Sequence, residues 1–333
     1  MKRRLLASIL TGVMAISLLA GCGSSSVETN TDTANESASA TDSSGTTSTE
    51  IGSSDTTGDI KPTDASSDAI DKKVFRIGVE CTYAPYNWTQ ESEELPNGKK
   101  AVPITNSEGY TYGYDIALAQ MICDQLGWEL EVYKSDWSSI FMGLEDKTYD
   151  CVMSGVCYTA ERDEIYDFTS PYYERQIKAV VREDSPFADV KKLSDFEGKN
   201  PTVIAQLGTN FVDYKDQIPS AIPETDYESA SELFMAIQNK TADVLITEKS
   251  TADSAFNTMN GLVQLELDSS DDFVAPEGNP NTCCILFRGD DSLCHIIQGA
   301  MDALKWTNET DEGLKAMNDL MSEMIKLQPS AAE

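Results

Sequence analysis

Side chains that most often carry out covalent or metal chemistry are scarce in this chain of 333 residues. It contains one histidine, His295, and eight cysteines, none of which form a Cys-X-X-Cys pair. A single histidine argues against Ser-His and Cys-His catalysis and against multi-histidine metal sites. We therefore expect no metal site and no cofactor, and we expect the cysteines to be mostly free and buried.

The charge balance of the chain is strongly acidic. Asp and Glu number 56 against 25 Lys and Arg, which gives a net charge of −31. Nucleic-acid binding needs clustered Lys and Arg to meet the phosphates, and the sequence shows no such cluster. The acidity is typical of a solvated surface. The length allows about two domains, each large enough to bury its own core.

Residues 1–21 have the pattern of a secretory signal peptide. Three basic residues precede a mostly apolar run, and small residues stand just before Cys22. The ending Leu-Leu-Ala-Gly-Cys resembles a bacterial lipobox, which implies that Cys22 carries a diacylglycerol anchor and becomes the new amino terminus. The alternative is an ordinary signal peptide followed by an incidental cysteine.

Residues 22–72 have the composition of a flexible linker. Between positions 23 and 72, Ser and Thr supply 22 of the 50 residues, and none is aromatic. Such a segment cannot bury enough apolar surface to fold. We therefore expect a folded domain that is tethered to the cell membrane by the lipid on Cys22 and lies outside the cytoplasm.

Strands alternate with helices from Val74 onward. Runs rich in β-branched and aromatic residues predict strands at 74–79, 129–133, 151–153, 178–182, 202–205, 243–247 and 283–288. Apolar residues at helical spacing predict helices at 114–126, 138–144, 228–238, 292–306 and 311–326, the first ending before Gly127. This alternation predicts α/β lobes with largely parallel sheets.

Four motifs follow one another in a characteristic order. They are RIGVECTYAPY at 76–86, GYDIALA at 113–119, the segment 137–162, and QLGTN at 206–210 with 243–248 downstream. Together they make residues 74–328 resemble the polar amino-acid group of bacterial extracellular solute-binding proteins (family 3), which serve ABC importers. One departure is Ala117, which replaces the second acidic residue usual in the second motif.

The resemblance implies an α/β, two-lobed fold of the type II periplasmic-binding-protein kind, with two hinge strands and closure on ligand. Lobe 1 would comprise residues 73–175 plus 270–329, and lobe 2 residues 176–269. The first crossing would follow Tyr173, and the second would lie near 265–273.

The resemblance also implies a site for a ligand carboxylate. It places Arg162 opposite that group, where the planar guanidinium can donate two parallel hydrogen bonds. The backbone N–H groups of Cys157 and Asn210, with the hydroxyl of Thr209, would complete the site. Outside the motif, Arg162 could equally form a surface ion pair with a neighbouring acid.

For the α-ammonium group, the resemblance indicates oxygen atoms of Ser154 and Gly155 and the carboxylate of Glu248. Glu248 is a departure, because the family commonly has Asp at this place. The alternative is an exposed glutamate at the start of a helix.

Tyr83 and Trp137 match the two aromatic residues that enclose the ligand side chain, although both could be ordinary core residues. Glu80 lies in the same motif as Tyr83. It could accept a hydrogen bond from an ammonium, guanidinium or amide group, or could serve only the first strand-to-helix turn. A polar or basic amino acid is therefore the expected ligand.

These features predict a membrane-tethered, monomeric receptor that delivers an amino acid to an ABC permease and breaks no bond. A first alternative is an enzyme on the same scaffold that dehydrates cyclohexadienyl acids, with Glu80 or Glu248 as general acid. A second is a subunit that presents its ligand to a signalling receptor. The sequence does not assign a role to the insertion at 87–112.

Overall fold

The computed structural model describes residues 73–289 and 291–329. The predicted signal peptide, the lipid-bearing Cys22 and the linker lie outside the described residues. Within the described ranges, none of the helices combines the length and the apolar character needed to span a bilayer.

The described residues form sixteen strands, seven α-helices and three 3₁₀ segments. The strands are β1 (Val74–Val79), β2 (Thr82–Tyr83), β3 (Asn87–Gln90), β4 (Val102–Pro103), β5 (Tyr110–Tyr112), β6 (Glu129–Lys134), β7 (Cys151–Val152), β8 (Tyr166–Phe168), β9 (Tyr173–Glu174), β10 (Ile177–Arg182), β11 (Thr202–Ile204), β12 (Ile222–Pro223), β13 (Val244–Glu248), β14 (Leu262–Gln264), β15 (Thr282–Cys283) and β16 (Leu286–Arg288). The helices are α1 (Tyr114–Leu126), α2 (Ile140–Glu145), α3 (Ala160–Asp163), α4 (Ala230–Gln238), α5 (Lys249–Ala255), α6 (Ser292–Ala303) and α7 (Asp311–Leu327). The 3₁₀ segments are Trp137–Ser139, Leu193–Phe196 and Asn210–Gln217.

The first lobe is built around a five-stranded sheet in the order β6-β1-β7-β16-β8. Strand β1 pairs in parallel with β6 and β7, whereas β16 runs antiparallel to β7 and β8. Helix α1 has the predicted bounds and ends at Gly127 in the left-handed conformation (φ 68°), as a glycine C-cap allows. It packs against β6, α6 and α7.

The second lobe is built around a sheet in the order β12-β11-β13-β10-β14. Strand β11 pairs in parallel with β12 and β13, and β10 runs antiparallel to β13 and β14. Apolar side chains are buried on both faces of this sheet. Both sheets are therefore mixed rather than largely parallel. In each sheet one strand runs against the others, β16 in the first and β10 in the second. Each of these strands directly follows a passage between the lobes, so the chain enters the sheet there from the opposite direction.

The two passages between the lobes run side by side. Strand β9 pairs with β15 in antiparallel register, with Cys283 opposite Tyr173. We propose that the second passage lies at β15, whereas the sequence placed it near 265–273. The segment expected to cross stays with the second lobe, because Leu265 N–H donates to Ala179 O and Asp268 N–H donates to Lys191 O. We propose lobe boundaries of 73–174 plus 282–329 for the first lobe and 175–281 for the second.

The insertion at 87–112 is part of the first lobe. Its strands join β2 in a sheet of order β2-β3-β5-β4. The rings of Trp88 and Tyr112 meet edge to face, and both belong to the main core of that lobe. The insertion thus extends the first lobe on the side where the chain turns into α1.

Gly113 holds this turn. Its φ is +137°, and a Cβ added there would lie 2.2 Å from the backbone oxygen of Tyr86. The next two residues, Tyr114 and Asp115, donate their backbone N–H groups to Pro85 and Tyr86. Only glycine fits this close approach in this conformation without displacing the backbone.

Gly113→Ala should lower the free energy of unfolding by about 2–4 kcal/mol, because backbone strain and steric overlap add. Gly299→Ala is the matched control, since Gly299 is an exposed residue of α6 with no atom within 4 Å of its added Cβ. The control should gain up to about 1 kcal/mol in helix propensity. Urea unfolding measures both, and equal effects would contradict this account of Gly113.

Candidate functional site

A small cavity lies at the seam between the two lobes. Ten residues line it: Glu80, Tyr83, Trp137, Ser154, Gly155, Cys157, Arg175, Gln206, Thr209 and Phe211. Seven of them are residues that the motifs singled out. Gln206 lies in the QLGTN motif but was given no role there, and Arg175 and Phe211 lie outside the four motifs. We call this space the inner cavity.

The first lobe supplies its residues from the carboxyl ends of two neighbouring parallel strands. Glu80 follows β1, and the segment from Ser154 to Cys157 follows β7. The hydroxyl of Ser154 accepts hydrogen bonds from Glu80 N and Asn87 Nδ2, both at 3.2 Å. Ser154 therefore ties these two strand ends together while it lines the cavity.

The second lobe supplies its residues from the loop after β11. Thr209 donates its hydroxyl to Gln206 O (2.7 Å) and accepts from Phe211 N (3.3 Å), which starts a 3₁₀ segment. Gln206 donates its side-chain amide to Glu228 O (2.9 Å). These bonds within the lobe fix the loop that faces the first lobe.

Several hydrogen bonds join the lobes beside the cavity. Trp137 Nε1 donates to Leu207 O, and Arg162 Nη2 donates to Gly208 O, both at 3.0 Å. Ser138 N donates to the Glu228 carboxylate, also at 3.0 Å. The two sides of the cavity are therefore held together in a closed arrangement.

Glu80 is a buried carboxyl group on the cavity wall. Burial, with the nearby charge of Asp115, raises its pKa to about 8. Burial likewise raises the pKa of Asp115 to about 8, although Tyr172 Oη and Asn87 Nδ2 donate to it at 2.7 and 2.9 Å. A cationic group placed next to Glu80 would favour its ionised form.

Arg162 lies at the outer edge of the site and does not line the inner cavity. Its Nη1 donates to the backbone oxygen of Cys157 (3.0 Å), and its guanidinium lies over the rings of Trp137 and Phe141. With Thr209 and Asn210 it lines a second, outer cavity. The carbonyl groups of both lobes hold the guanidinium there. Among the described residues, Arg162 forms no salt bridge with a neighbouring acid.

Glu248 is placed differently from the expectation as well. It ends β13 and is fully buried, so it is neither an exposed residue nor part of the cavity wall. Its carboxylate accepts hydrogen bonds from the hydroxyls of Tyr83 (2.5 Å), Tyr86 (2.7 Å) and Thr251 (3.1 Å). The Glu248 carboxylate, which was expected to bind the α-ammonium group of the ligand, is therefore hydrogen-bonded to two tyrosines instead.

The predicted aromatic residues Tyr83 and Trp137 both line the inner cavity. Tyr83 stacks on Tyr86 with 5.1 Å between ring centroids and 9° between planes. Gly155 allows the Tyr83 ring to approach closely, because a Cβ added to Gly155 would lie 2.7 Å from that ring. Asn210 lies in the outer cavity instead.

Arg175 lines the inner cavity, although it lies outside the four sequence motifs. It follows β9 in the first passage between the lobes and is 6% exposed. Its Nη2 donates to Asn210 Oδ1 (3.2 Å), and its guanidinium lies 5.0 Å from the Phe211 ring centroid. A basic residue inside an expected hinge strand was the signal that could have revealed it.

Cys157 lies close to two guanidinium groups. Burial would raise the pKa of its thiol, but Arg162 and Arg175 outweigh burial, and the pKa is lowered. The seven cysteines in the described ranges are all buried. In the same ranges, no group of three or more His, Cys, Asp or Glu side chains could hold a metal ion.

A larger groove lies elsewhere along the seam, between residues of the first lobe such as Trp88 and residues of the second such as Phe234 and Met259. None of the side chains that line it is charged. A zwitterion needs charged or strongly polar partners when it leaves water. The inner cavity, and not this groove, has those partners.

Residues 75–324 match the profile of the bacterial extracellular solute-binding proteins, family 3. The match covers most of the chain, which therefore belongs to this family. The arginine-binding extracellular protein ArtP of Bacillus subtilis is 28% identical over 245 residues, covering 72% of this chain and 84% of ArtP.

Solved structures show the same fold. An amino acid ABC transporter substrate-binding protein from Streptococcus pneumoniae, bound to L-arginine, has a TM-score of 0.61 at 24% identity, covering 78% of this chain and 98% of its own. The ancestral protein AncCDT-1, a precursor of cyclohexadienyl dehydratase, has a TM-score of 0.56 at 22% identity, covering 74% and 94%. The fold is the two-lobed type II periplasmic-binding-protein fold with two hinge strands.

The raised pKa of Glu80 predicts how stability depends on pH. The folded protein keeps a proton on Glu80 up to about pH 8, whereas the unfolded chain loses it near the ordinary value of about 4.3. The stability that this proton provides is present at low pH and is lost as the pH rises toward 8, by at most about 1.4 kcal/mol per pH unit.

Glu80→Gln has no ionisable group at this position. Its free energy of unfolding should therefore fall less steeply between pH 5 and pH 8 than that of the wild type. Urea unfolding of ligand-stripped protein at intervals of half a pH unit measures the two slopes. Parallel curves for the variant and the wild type would show that Glu80 is not a carboxyl group held neutral by burial.

Proposed function

We propose that this protein is the substrate-binding subunit of an amino-acid ABC importer, which captures an extracellular amino acid by closing its cleft and delivers it to a permease. The observation that carries the proposal is the inner cavity at the seam between the lobes. Eight of its ten lining residues lie in the four motifs, and both lobes contribute. The arginine-binding relatives support an amino acid as the ligand.

The ligand carboxylate is proposed to lie between Cys157 and Thr209, where the two lobes meet. Backbone N–H groups of Cys157 and Asn210 and the Thr209 hydroxyl are the proposed donors. Arg162 is bonded to Cys157 O and to Gly208 O, on either side of this point. A carboxylate there would attract the guanidinium more strongly than the two neutral carbonyls do, because charge-assisted hydrogen bonds are about twice as strong as neutral ones.

The α-ammonium group is proposed to face Glu80, with oxygen atoms of Ser154 and Gly155 beside it. Glu80 replaces Glu248 in this role, because the Glu248 carboxylate is already engaged by Tyr83 and Tyr86. Glu248 then acts by fixing the Tyr83 ring on the cavity wall. Tyr83 and Trp137 supply apolar faces for the body of the ligand.

Closure is proposed to depend on the hydrogen bonds that Trp137, Ser138 and Arg162 make to the second lobe. Opening would break these bonds, and the passages at β9 and β15 would absorb the change in backbone angles. A ligand that contacts both lobes favours the closed state by its differential affinity for that state.

The cellular setting completes the proposal. A family of extracellular proteins indicates a location outside the cytoplasm. The signal peptide would be cleaved before Cys22, and a diacylglycerol would be attached to that cysteine. Its two acyl chains, inserted in the membrane, would hold the protein at the membrane surface. The linker at 22–72 would then let the folded lobes, as a monomer, reach the permease.

A second candidate function rests on the pKa of Glu80. A carboxyl group that stays protonated up to about pH 8 can act as a general acid at neutral pH, and AncCDT-1 is described as a precursor of cyclohexadienyl dehydratase. Incubation of the purified protein with prephenate or arogenate tests this function. Turnover that Glu80→Gln abolishes would replace binding by catalysis.

A thermal-shift screen against the twenty common amino acids tests the proposal of amino-acid binding. The wild-type protein, stripped of co-purified ligand, should show a raised melting temperature with at least one of them. Arg162→Ala should lose most of that shift, because the carboxylate loses its charged partner and the lobes lose the bond to Gly208.

Arg76→Ala is the matched control. Arg76 forms its ion pair with Asp150 at 2.8 Å, and neither residue lines the inner or the outer cavity. The control should melt at a lower temperature but keep the full ligand-induced shift. A wild-type shift that survives in Arg162→Ala would contradict the assignment of Arg162, and the absence of any shift in the wild type would contradict amino-acid binding.

A further inference from the structure

Arg175 is a buried cation with no carboxylate within salt-bridge distance among the described residues. The residue is 6% exposed. Burial lowers the pKa of its guanidinium, but Cys283, Cys157 and Glu248 raise it by more. Burying an ion costs several kcal/mol, and a nearby opposite charge is the usual compensation. The position of Arg175 on the wall of the inner cavity, not in the interior of a lobe, indicates that the compensating anion is one that enters the cavity.

The contacts of Arg175 leave part of its guanidinium unused. Nη2 donates to the neutral amide oxygen of Asn210, and Phe211 offers a ring face. Nε is buried and has no hydrogen-bond partner among the described atoms. Glu248 is the nearby acid and its charge acts on Arg175, but it forms no salt bridge with Arg175, and three hydroxyl groups donate to its carboxylate. Arg175 therefore brings a positive charge and one donor without a hydrogen-bond partner to the cavity wall.

Arg162 and Arg175 lie on different sides of Cys157. Arg162 donates to the Cys157 backbone oxygen from the outer cavity, whereas Arg175 lines the inner one. Glu80 is the one acid on the inner wall. The site thus offers two guanidinium groups but one carboxyl group to the ligand. An amino acid with a single carboxylate supplies an anion for only one of these guanidinium groups.

We infer that Arg175 binds a second carboxylate of the ligand, so that the cleft prefers dicarboxylic amino acids to neutral and basic ones. The inference rests on the proposed function, in which Arg162 and Glu80 hold the α-carboxylate and the α-ammonium group. A basic side chain would bring a second cation toward Arg175 in a space with little water, where like charges repel strongly. This narrows the expected ligand class and removes its basic members.

The test compares ligands that differ in the second carboxylate alone. Calorimetric titration of the ligand-stripped protein uses the pairs aspartate and asparagine, glutamate and glutamine, and 2-aminoadipate and norleucine, with arginine and lysine as cationic probes. In at least one pair the dicarboxylic member should bind at least tenfold more tightly than its partner. Arginine and lysine should bind more weakly than that dicarboxylic member.

Arg175→Met should reduce this preference to less than threefold while the neutral member of the pair keeps its affinity. The variant should also melt, without ligand, at the wild-type temperature or above, because a buried unpaired charge has been replaced by an apolar side chain of similar length. Arg175→Lys should keep part of the preference, since it keeps the charge without the planar fork. Arg76→Met, away from both cavities, should keep all of it.

Three results would overturn the inference. One is a wild-type protein that binds arginine, lysine or the neutral members at least as tightly as the dicarboxylic ones; the proposed function would then stand without it. Another is loss of all amino-acid binding in Arg175→Met, which would make Arg175 the partner of the α-carboxylate. The third is a wild-type protein that binds none of the probes; a thermal shift with another of the twenty common amino acids would then leave the proposed function standing, and its absence would remove both.

Discussion

The cost of burying charge is the constraint on which the rest of this structure depends. Glu80, Asp115, Arg175 and Glu248 are each at most 6% exposed, and all lie at or near the seam between the lobes. Each is accommodated differently: burial raises the pKa of both Glu80 and Asp115 to about 8, and Glu248 receives hydrogen bonds from two tyrosines. Arg175 donates to a neutral amide and lies over an aromatic ring; burial lowers the pKa of its guanidinium, but Cys283, Cys157 and Glu248 raise it by more. We infer that a bound anion completes the charge balance of the site.

The architecture brings these groups to one place. In the first lobe, the parallel strands β1 and β7 end side by side, so that Glu80 and the segment after β7 face the seam. In the second lobe, the loop after β11 turns its backbone toward Trp137 and Arg162. The paired strands β9 and β15 form the passages between the lobes, and Arg175 directly follows one of them. Arg175 therefore lies both on the cavity wall and next to a passage between the lobes.

Local sequence patterns were sufficient for the long helices, for the central strands of both sheets and for most of the cavity wall. Helix α1 has its predicted bounds because apolar spacing and a C-cap glycine are local signals, and the motifs contain eight of the ten lining residues. The orientations of the Arg162 and Glu248 side chains could not be predicted from local patterns. They are set by Gly208 O and by the Tyr83 and Tyr86 hydroxyls, which are distant in sequence. The proposed place of the second passage likewise depends on the long-range hydrogen bonds of residues 265–271 to the second lobe.

The central claim is that the lobes close on an amino acid, and a distance measured between them tests it most directly. Met142 in the first lobe and Met235 in the second are exposed, and the seven described cysteines are buried. Spin labels can therefore be attached at Met142→Cys and Met235→Cys in a chain that carries Cys22→Ser. Double electron–electron resonance measures the distance between the two labels. The distribution of this distance should be broad without ligand, and narrower and centred at a shorter distance with the amino acid that raises the melting temperature most. An identical distribution in both conditions, at a saturating ligand concentration, would contradict the account.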